Sequence, residues 1–256
     1  MPAPPSQPGS PFEPGFPPLP LPTRSVKPTQ ILLPLLQAPA PTLASFVVGP
    51  NGEALAAMRR LLAGDCDGEP VYLWGDHASG RSHLLQAVAA AAEAGGDAGA
   101  AVVGAAAIGS DWSPPGRYLL VDDVDRLSPS GQVRLFDAIN RGRAEAWRML
   151  FTGSAAPARL DLRGELSSRL AQGLVLQLQH LGDADKAAAM TDYAARAGFT
   201  LPAEVADYLL RHGRRDLGTL LAVVQVIDQV SLRDRRPVTV RLAHDVLYSA
   251  DLFCPV

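Results

Sequence analysis

Apolar residues follow two rhythms along this chain, and the change from one to the other divides it. Between Thr42 and about Leu178, short continuous apolar runs alternate with stretches of helical spacing. Val71-Tyr72-Leu73-Trp74 ends at Gly75, the pattern of a buried strand entering a glycine loop. Ala101–Val103, Tyr118–Val121 and Met149–Phe151 read as three more such strands. Helices are expected between them. Asn51 stands as an N-cap before Leu55, Met58, Leu61 and Leu62, while Ser82–Ala92 and Gln132–Asn140 supply two more. Strands alternating with helices predict an α/β domain with a parallel sheet sandwiched by helices. Beyond Leu178 only the helical rhythm continues, over Ala184–Ala197, Pro202–Arg211, Leu217–Ser231 and Val240–Leu247. Pro202 is placed at a first helical position, Gly198 just past a helix end and Thr239 at an N-cap. A small all-helical domain should therefore follow the α/β domain.

Composition adds a third region. Of the 23 prolines, 14 lie in residues 1–41. Proline fixes φ and lacks an amide donor, so residues 1–29 read as a disordered Pro-rich tail, either a ligand for some partner or an inert extension. The division is then 1–29, a separate short peptide at 30–36, an α/β domain at 42–178, a helical domain at 179–249 and a short tail at 250–256. The 47% of hydrophobic and 19% of charged residues suit a soluble globular chain. A net charge of −3 gives no basic excess, so bulk charge would not hold DNA. Cys66 and Cys254 are too few for a disulfide framework or a zinc site, and read as reduced thiols. No apolar run reaches the length of a membrane helix and no signal pattern opens the chain. The expected location is the cytoplasm, with no membrane partner.

Candidate chemistry sits where the strands end. Gly75-Asp76-His77-Ala78-Ser79-Gly80-Arg81-Ser82 fits the phosphate-loop pattern G-x-x-x-x-G-K-S/T, with arginine in place of lysine. Glycines let backbone amides curl around phosphate oxygens, and the following helix adds positive potential. Ser82 offers the hydroxyl expected on Mg²⁺, and Arg81 keeps the charge on a longer, planar group. Tyr118–Val121 runs into Asp122-Asp123. In phosphate-loop proteins the first carboxylate serves Mg²⁺ and its neighbour orients the attacking water. Thr152, closing Met149–Phe151, is placed to sense the γ-phosphate. His77, His83, His180, His212 and His244 show no metal-ligand spacing, and no Ser-His-Asp arrangement can be argued.

Further residues give these motifs a family resemblance. Ser45-Phe46-Val47-Val48-Gly49-Pro50-Asn51 is similar to the replication initiator's F-V-x-G-x-x-N segment, which lies against adenine. Gly80-Arg81-Ser82-His83-Leu84-Leu85 resembles its G-K-T-H-L-L. Ser167-Ser168-Arg169-Leu170 resembles the box that carries an arginine finger, and Arg215-Asp216-Leu217 resembles the R-E-L sensor of the lid. The chain from about Gln30 to Leu247 thus looks like an AAA+ ATPase of the initiator branch. It is read as ending after the lid, without the initiator's helix-turn-helix domain. Gln30-Ile31-Leu32-Leu33-Pro34-Leu35 resembles the sliding-clamp motif Q-L-S/D-L-P-L. Together with the phosphate-loop arginine, these features resemble the Hda family, regulatory inactivators of the initiator DnaA.

That resemblance implies ADP or ATP as cofactor with Mg²⁺. It places Val47, Val48, the loop from Gly75 to Ser82, Thr152 and Arg215 on the nucleotide, and Ser82 and Asp122 on the metal. Asp123 and Arg169 would be catalytic, Arg169 acting on ATP held by the partner. Implied partners are DnaA and the DNA polymerase III beta sliding clamp, with DNA reached only through the clamp and a homo-oligomer left open. Gln30, Ile31, Leu33, Pro34 and Leu35 would bind the clamp: an extended peptide places alternate side chains on one side, so Leu33 and Leu35 can enter an apolar groove. Gln30 would hydrogen-bond at the rim, and Pro34 would limit the entropy lost on docking. Such a chain would activate a partner's ATPase rather than turn over nucleotide itself. Two other functions stay open on the residues alone: an ATP-driven helicase or clamp loader, and a nucleotide-binding scaffold in which Arg169 is a structural ion-pair partner.

Overall fold

The computed structural model describes residues 41–97, 99–114 and 116–249. The peptide Gln30, Ile31, Leu33, Pro34 and Leu35 lies outside the described residues, as do the Pro-rich tail and Cys254. Helix α1 (Gly52–Ala63) precedes β1 (Pro70–Trp74), the phosphate loop and α2 (Arg81–Ala94). Then come β2 (Val102–Gly104), β3 (Tyr118–Asp122), α3 (Pro129–Ala144), β4 (Arg148–Gly153), α4 (Gly164–Ala171) and β5 (Leu174–Gln177). Four more helices follow among the described residues: α5 (Asp183–Ala197), α6 (Ala203–His212), α7 (Leu217–Asp234) and α8 (Val240–Ser249).

The five strands of the described residues are parallel, in the order β2-β3-β4-β1-β5. Side-chain alternation splits each central strand between two cores. Val71, Leu73, Leu120 and Leu150 face Met58, Leu61, Leu84 and Leu85 of α1 and α2. Tyr72, Leu119, Val121, Met149 and Phe151 join Leu135, Ile139, Leu166 and Leu170 of α3 and α4 on the other side. Both faces being covered, these strands read as unbroken apolar runs rather than as alternation. The lid has its own core, in which Met190, Val205, Leu209, Val224, Ile227 and Leu242 are buried together.

Three local expectations need correction. Strand β5 is not among the four strands expected from the apolar runs. It is four residues long and half-buried at Leu174 and Val175, and it pairs with β1 from Val71↔Leu174 to Trp74↔Gln177. Four residues carry too little periodicity to announce a strand. Pro202 is the N-cap of α6 rather than its first helical residue. Asn51 holds the N-cap position of α1, yet its side chain makes no capping bond. It instead clamps the backbone of Gln179, donating from Nδ2 to the carbonyl oxygen at 3.0 Å and accepting from the amide at 2.8 Å.

Candidate nucleotide site

The loop after β1, the end of β3 and the end of β4 meet at the carboxyl edge of the sheet, where open parallel sheets gather their ligands. A cleft of about 410 Å³ opens there between the α/β domain and the lid. Phe46, Val47 and the loop from His77 to Ser82 line one side, and Leu217, Gly218 and Leu221 of α7 line the other.

The loop's glycines are required by space and by backbone angle. A β-carbon on Gly75 would stand 2.6 Å from the Leu178 carbonyl oxygen and 2.8 Å from Ser79 Oγ. Gly80 has φ +99°, and a β-carbon there would meet the Phe46 ring at 3.0 Å. Close packing thus brings Phe46 over the start of α2. Ser79 Oγ is buried and without a hydrogen-bond partner among the described residues, and the equally buried Arg81 Nη1 has an ion-pair contact to Asp123 but no hydrogen bond. Buried polar groups are seldom left so, and both belong to the loop that lines the cleft. Phosphate oxygens would satisfy them, so the residues present fit a nucleotide's phosphates.

Arg81 is only 12% exposed at its side chain, and its Nη1 lies 3.4 Å from Asp123 Oδ1. Arg126 approaches the other carboxylate oxygen at 3.7 Å. Asp123, expected to orient water, is therefore flanked by two arginines in a left-handed backbone conformation of φ 53°. Register places Val121 beside Phe151, which brings the next pair, Asp122 and Thr152, level with one another. The Thr152 hydroxyl donates to Asp122 Oδ1 and accepts from the Asp123 amide at 2.9 Å. Thr152 is 0% exposed, so the side chain expected to sense a γ-phosphate instead ties the ends of β3 and β4 together.

Other expected residues fall partly elsewhere. Ser82 lines the cleft, and Asp122 is not among the lining residues. Asp76 stands outside the lining and approaches His180 Nε2 at 3.2 Å. Val47 lines the cleft, but Val48 is 36% exposed outside it, and Phe46 is its aromatic neighbour in place. Arg215 does not reach the cleft. Its side chain is 74% exposed and approaches Asp183 at 4.0 Å, while the next residue, Asp216, caps α7 by accepting from the Thr219 amide at 2.8 Å. Phe46 and Arg126 were within reach of sequence reading, the one inside the Ser45–Asn51 motif and the other three residues past Asp123. Leu217 stood in the Arg215-Asp216-Leu217 motif, whereas Leu221 carries no local signal, because only the lid's position brings it to the cleft.

Arg169 lies in the last turn of α4, away from the cleft lining. Its guanidinium carbon sits 5.7 Å from the Phe136 ring centre, and Nη1 donates to Gln172 Oε1 at 2.9 Å. Among the described residues no carboxylate oxygen lies within 4.0 Å of it.

Comparison with known proteins agrees with this architecture. Residues 183–247 match the family described as "Hda, lid domain". The structure resembles domain III of the replication initiation protein DnaA from Thermotoga maritima, with a TM-score of 0.66 and 20% identity over 82% of this chain and 97% of that one. It also resembles AMPPCP-bound DnaA from Aquifex aeolicus, with a TM-score of 0.64 and 21% identity over 78% of this chain and 69% of the other. The RuvB Holliday junction branch migration motor of Thermotoga maritima is similar at a TM-score of 0.54 and 15% identity, covering 76% of this chain and 66% of that one. The fold is that of the AAA+ proteins, and the lid is of the Hda type.

Proposed function

We propose that this Hda-family AAA+ chain is a negative regulator of replication initiation, acting in the cytoplasm on ATP bound by the initiator DnaA. In this reading it holds ADP or ATP in its own cleft and docks on the DNA-loaded sliding clamp through Gln30–Leu35. It then offers Arg169 to the initiator's triphosphate. A planar guanidinium with parallel donors matches the charge that builds on the transferred phosphoryl group, and such fingers are worth roughly 10³–10⁵ in rate.

The observation that carries the proposal is the placement of Arg169. It stands outside its own chain's cleft, so a phosphate it meets belongs to another molecule. It also lacks a carboxylate partner within 4.0 Å among the described residues, which disfavours the scaffold reading of a structural ion pair. The cleft supports the same division of labour. Asp123 is engaged by Arg81 and Arg126, which leaves this chain poorly equipped to orient an attacking water for its own turnover. A helicase or clamp-loader motor would need that turnover.

The test is Arg169→Ala, assayed with purified DNA-loaded clamp and ATP-loaded DnaA. Stimulated ADP formation should fall to the unstimulated level, while melting temperature, clamp co-elution and nucleotide binding stay at wild type. Lysine should rescue poorly, since a point charge lacks the two-donor plane. A folded variant that stimulates at the wild-type rate would remove Arg169 from the mechanism.

A further inference from the structure

Gln172, one residue past α4, connects two arginines from different elements. Its Oε1 accepts from Arg169 Nη1 at 2.9 Å and from Arg143 Nη1, at the end of α3, at 2.6 Å. Neither guanidinium has a carboxylate oxygen within 4.0 Å among the described residues. Other arginines of the α/β domain are paired with carboxylates: Arg141 with Glu145, Arg148 with Asp67 and Arg163 with Glu165. Two positive groups sharing one neutral acceptor repel each other, and the amide oxygen orients them without cancelling their charge. The result is a fixed pair of donors with an unspent positive field. Such a pair suits a multiply charged phosphate chain, because donors oriented in advance need no reorganisation when charge develops.

From this geometry we infer that Gln172 is a positioning residue, which holds Arg169 and Arg143 as a two-arginine receptor for the triphosphate of a partner chain. The inference rests on the finger reading of Arg169 and extends it: Arg143 becomes a second contact to the phosphates, and the neutrality of residue 172 becomes a requirement. A glutamate at 172 would keep the shape and strengthen both hydrogen bonds. It would also neutralise the pair and hold the finger back. An alanine would leave the charge and release the orientation.

The experiment measures stimulated ADP formation by ATP-loaded DnaA on DNA-loaded clamp, titrating wild type, Gln172→Glu, Gln172→Ala, Arg143→Ala and Arg169→Ala. For Gln172→Glu the plateau rate should fall by about tenfold to a hundredfold, the scale on which a misplaced reacting group loses rate. The concentration giving half-stimulation should change far less, and the melting temperature should be equal to or above wild type. Gln172→Ala and Arg143→Ala should each lower the plateau several-fold at unchanged melting temperature. A purely structural glutamine predicts the opposite order: glutamate tolerated, alanine lowering the melting temperature and weakening every property together. That order, or a wild-type plateau for Gln172→Glu, overturns the inference. If Arg169→Ala is inactive while Gln172→Glu stimulates fully, only this inference fails. If Arg169→Ala itself stimulates normally, the finger reading fails and takes the inference with it.

Discussion

Asn51 shows how one residue can satisfy a sequence rule and use its side chain for something else. An asparagine ahead of a helix is expected to cap it, and Asn51 does occupy that position. With 4% exposure, its amide is instead paired to both backbone groups of Gln179, 128 residues away, in the passage from β5 to the lid. The asparagine therefore joins the start of α1 to the base of the lid. Asn51→Ala would leave the Gln179 amide and carbonyl without these partners, at a cost of about 1–3 kcal/mol. For a chain of this size each kcal/mol moves the midpoint by roughly 2–4 °C, so thermal denaturation should detect the loss readily. A simple capping role predicts instead that serine at 51 restores full stability, which it should not do, because a hydroxyl cannot span both groups.

At the level of elements, the segment before α1 is held to α2 by a titratable contact. His83 lies on the first turn of α2, with Nε2 3.2 Å from the Thr42 carbonyl oxygen and 3.4 Å from Ser45 Oγ. The Phe46 ring packs 5.8 Å from the imidazole. Burial pushes the His83 pKa below its ordinary value of 6.5, against a smaller opposing effect of the Thr42 carbonyl. The folded chain then resists a proton that the unfolded chain accepts. Stability from this contact is complete above pH 6.5 and is lost as pH falls from there toward the folded value, with a slope of at most about 1.4 kcal/mol per pH unit. Phe46 also covers Gly80, so acidification should loosen the wall of the nucleotide cleft. Melting curves between pH 7.5 and 5.5 should show a smaller decline for His83→Gln than for wild type. Equal slopes would mean that this histidine does not report on the contact.

At the scale of the molecule, the two cores of the α/β domain and the core of the lid draw, among the described residues, on positions between Leu43 and Leu247. If the clamp-peptide reading holds, replacing Gln30, Leu33 and Leu35 together by alanine should abolish co-elution with the sliding clamp and leave the melting temperature unchanged. Co-elution at wild-type affinity would refute the clamp-peptide reading. The strands β1, β3 and β4, the phosphate loop and all four lid helices were legible in the chain itself, because each is announced by neighbours in sequence: an unbroken apolar run, a glycine spacing, an apolar stripe with its caps. Strand β5 was not, since its identity comes from hydrogen bonds to β1 rather than from its own four residues. The same distinction governs the site. The order of residues made Arg81, Asp123 and Arg169 candidates for phosphate chemistry, since their types and spacing are local facts. Only the folded chain decided that Asp123 faces Arg81 and Arg126, that Thr152 spends its hydroxyl on Asp122, and that Arg215 stays outside the cleft. Only the folded chain set Arg143 and Arg169 on one glutamine. Side-chain partners depend on distances between elements far apart in sequence, and those distances are set by how helices and strands pack, which no local pattern encodes.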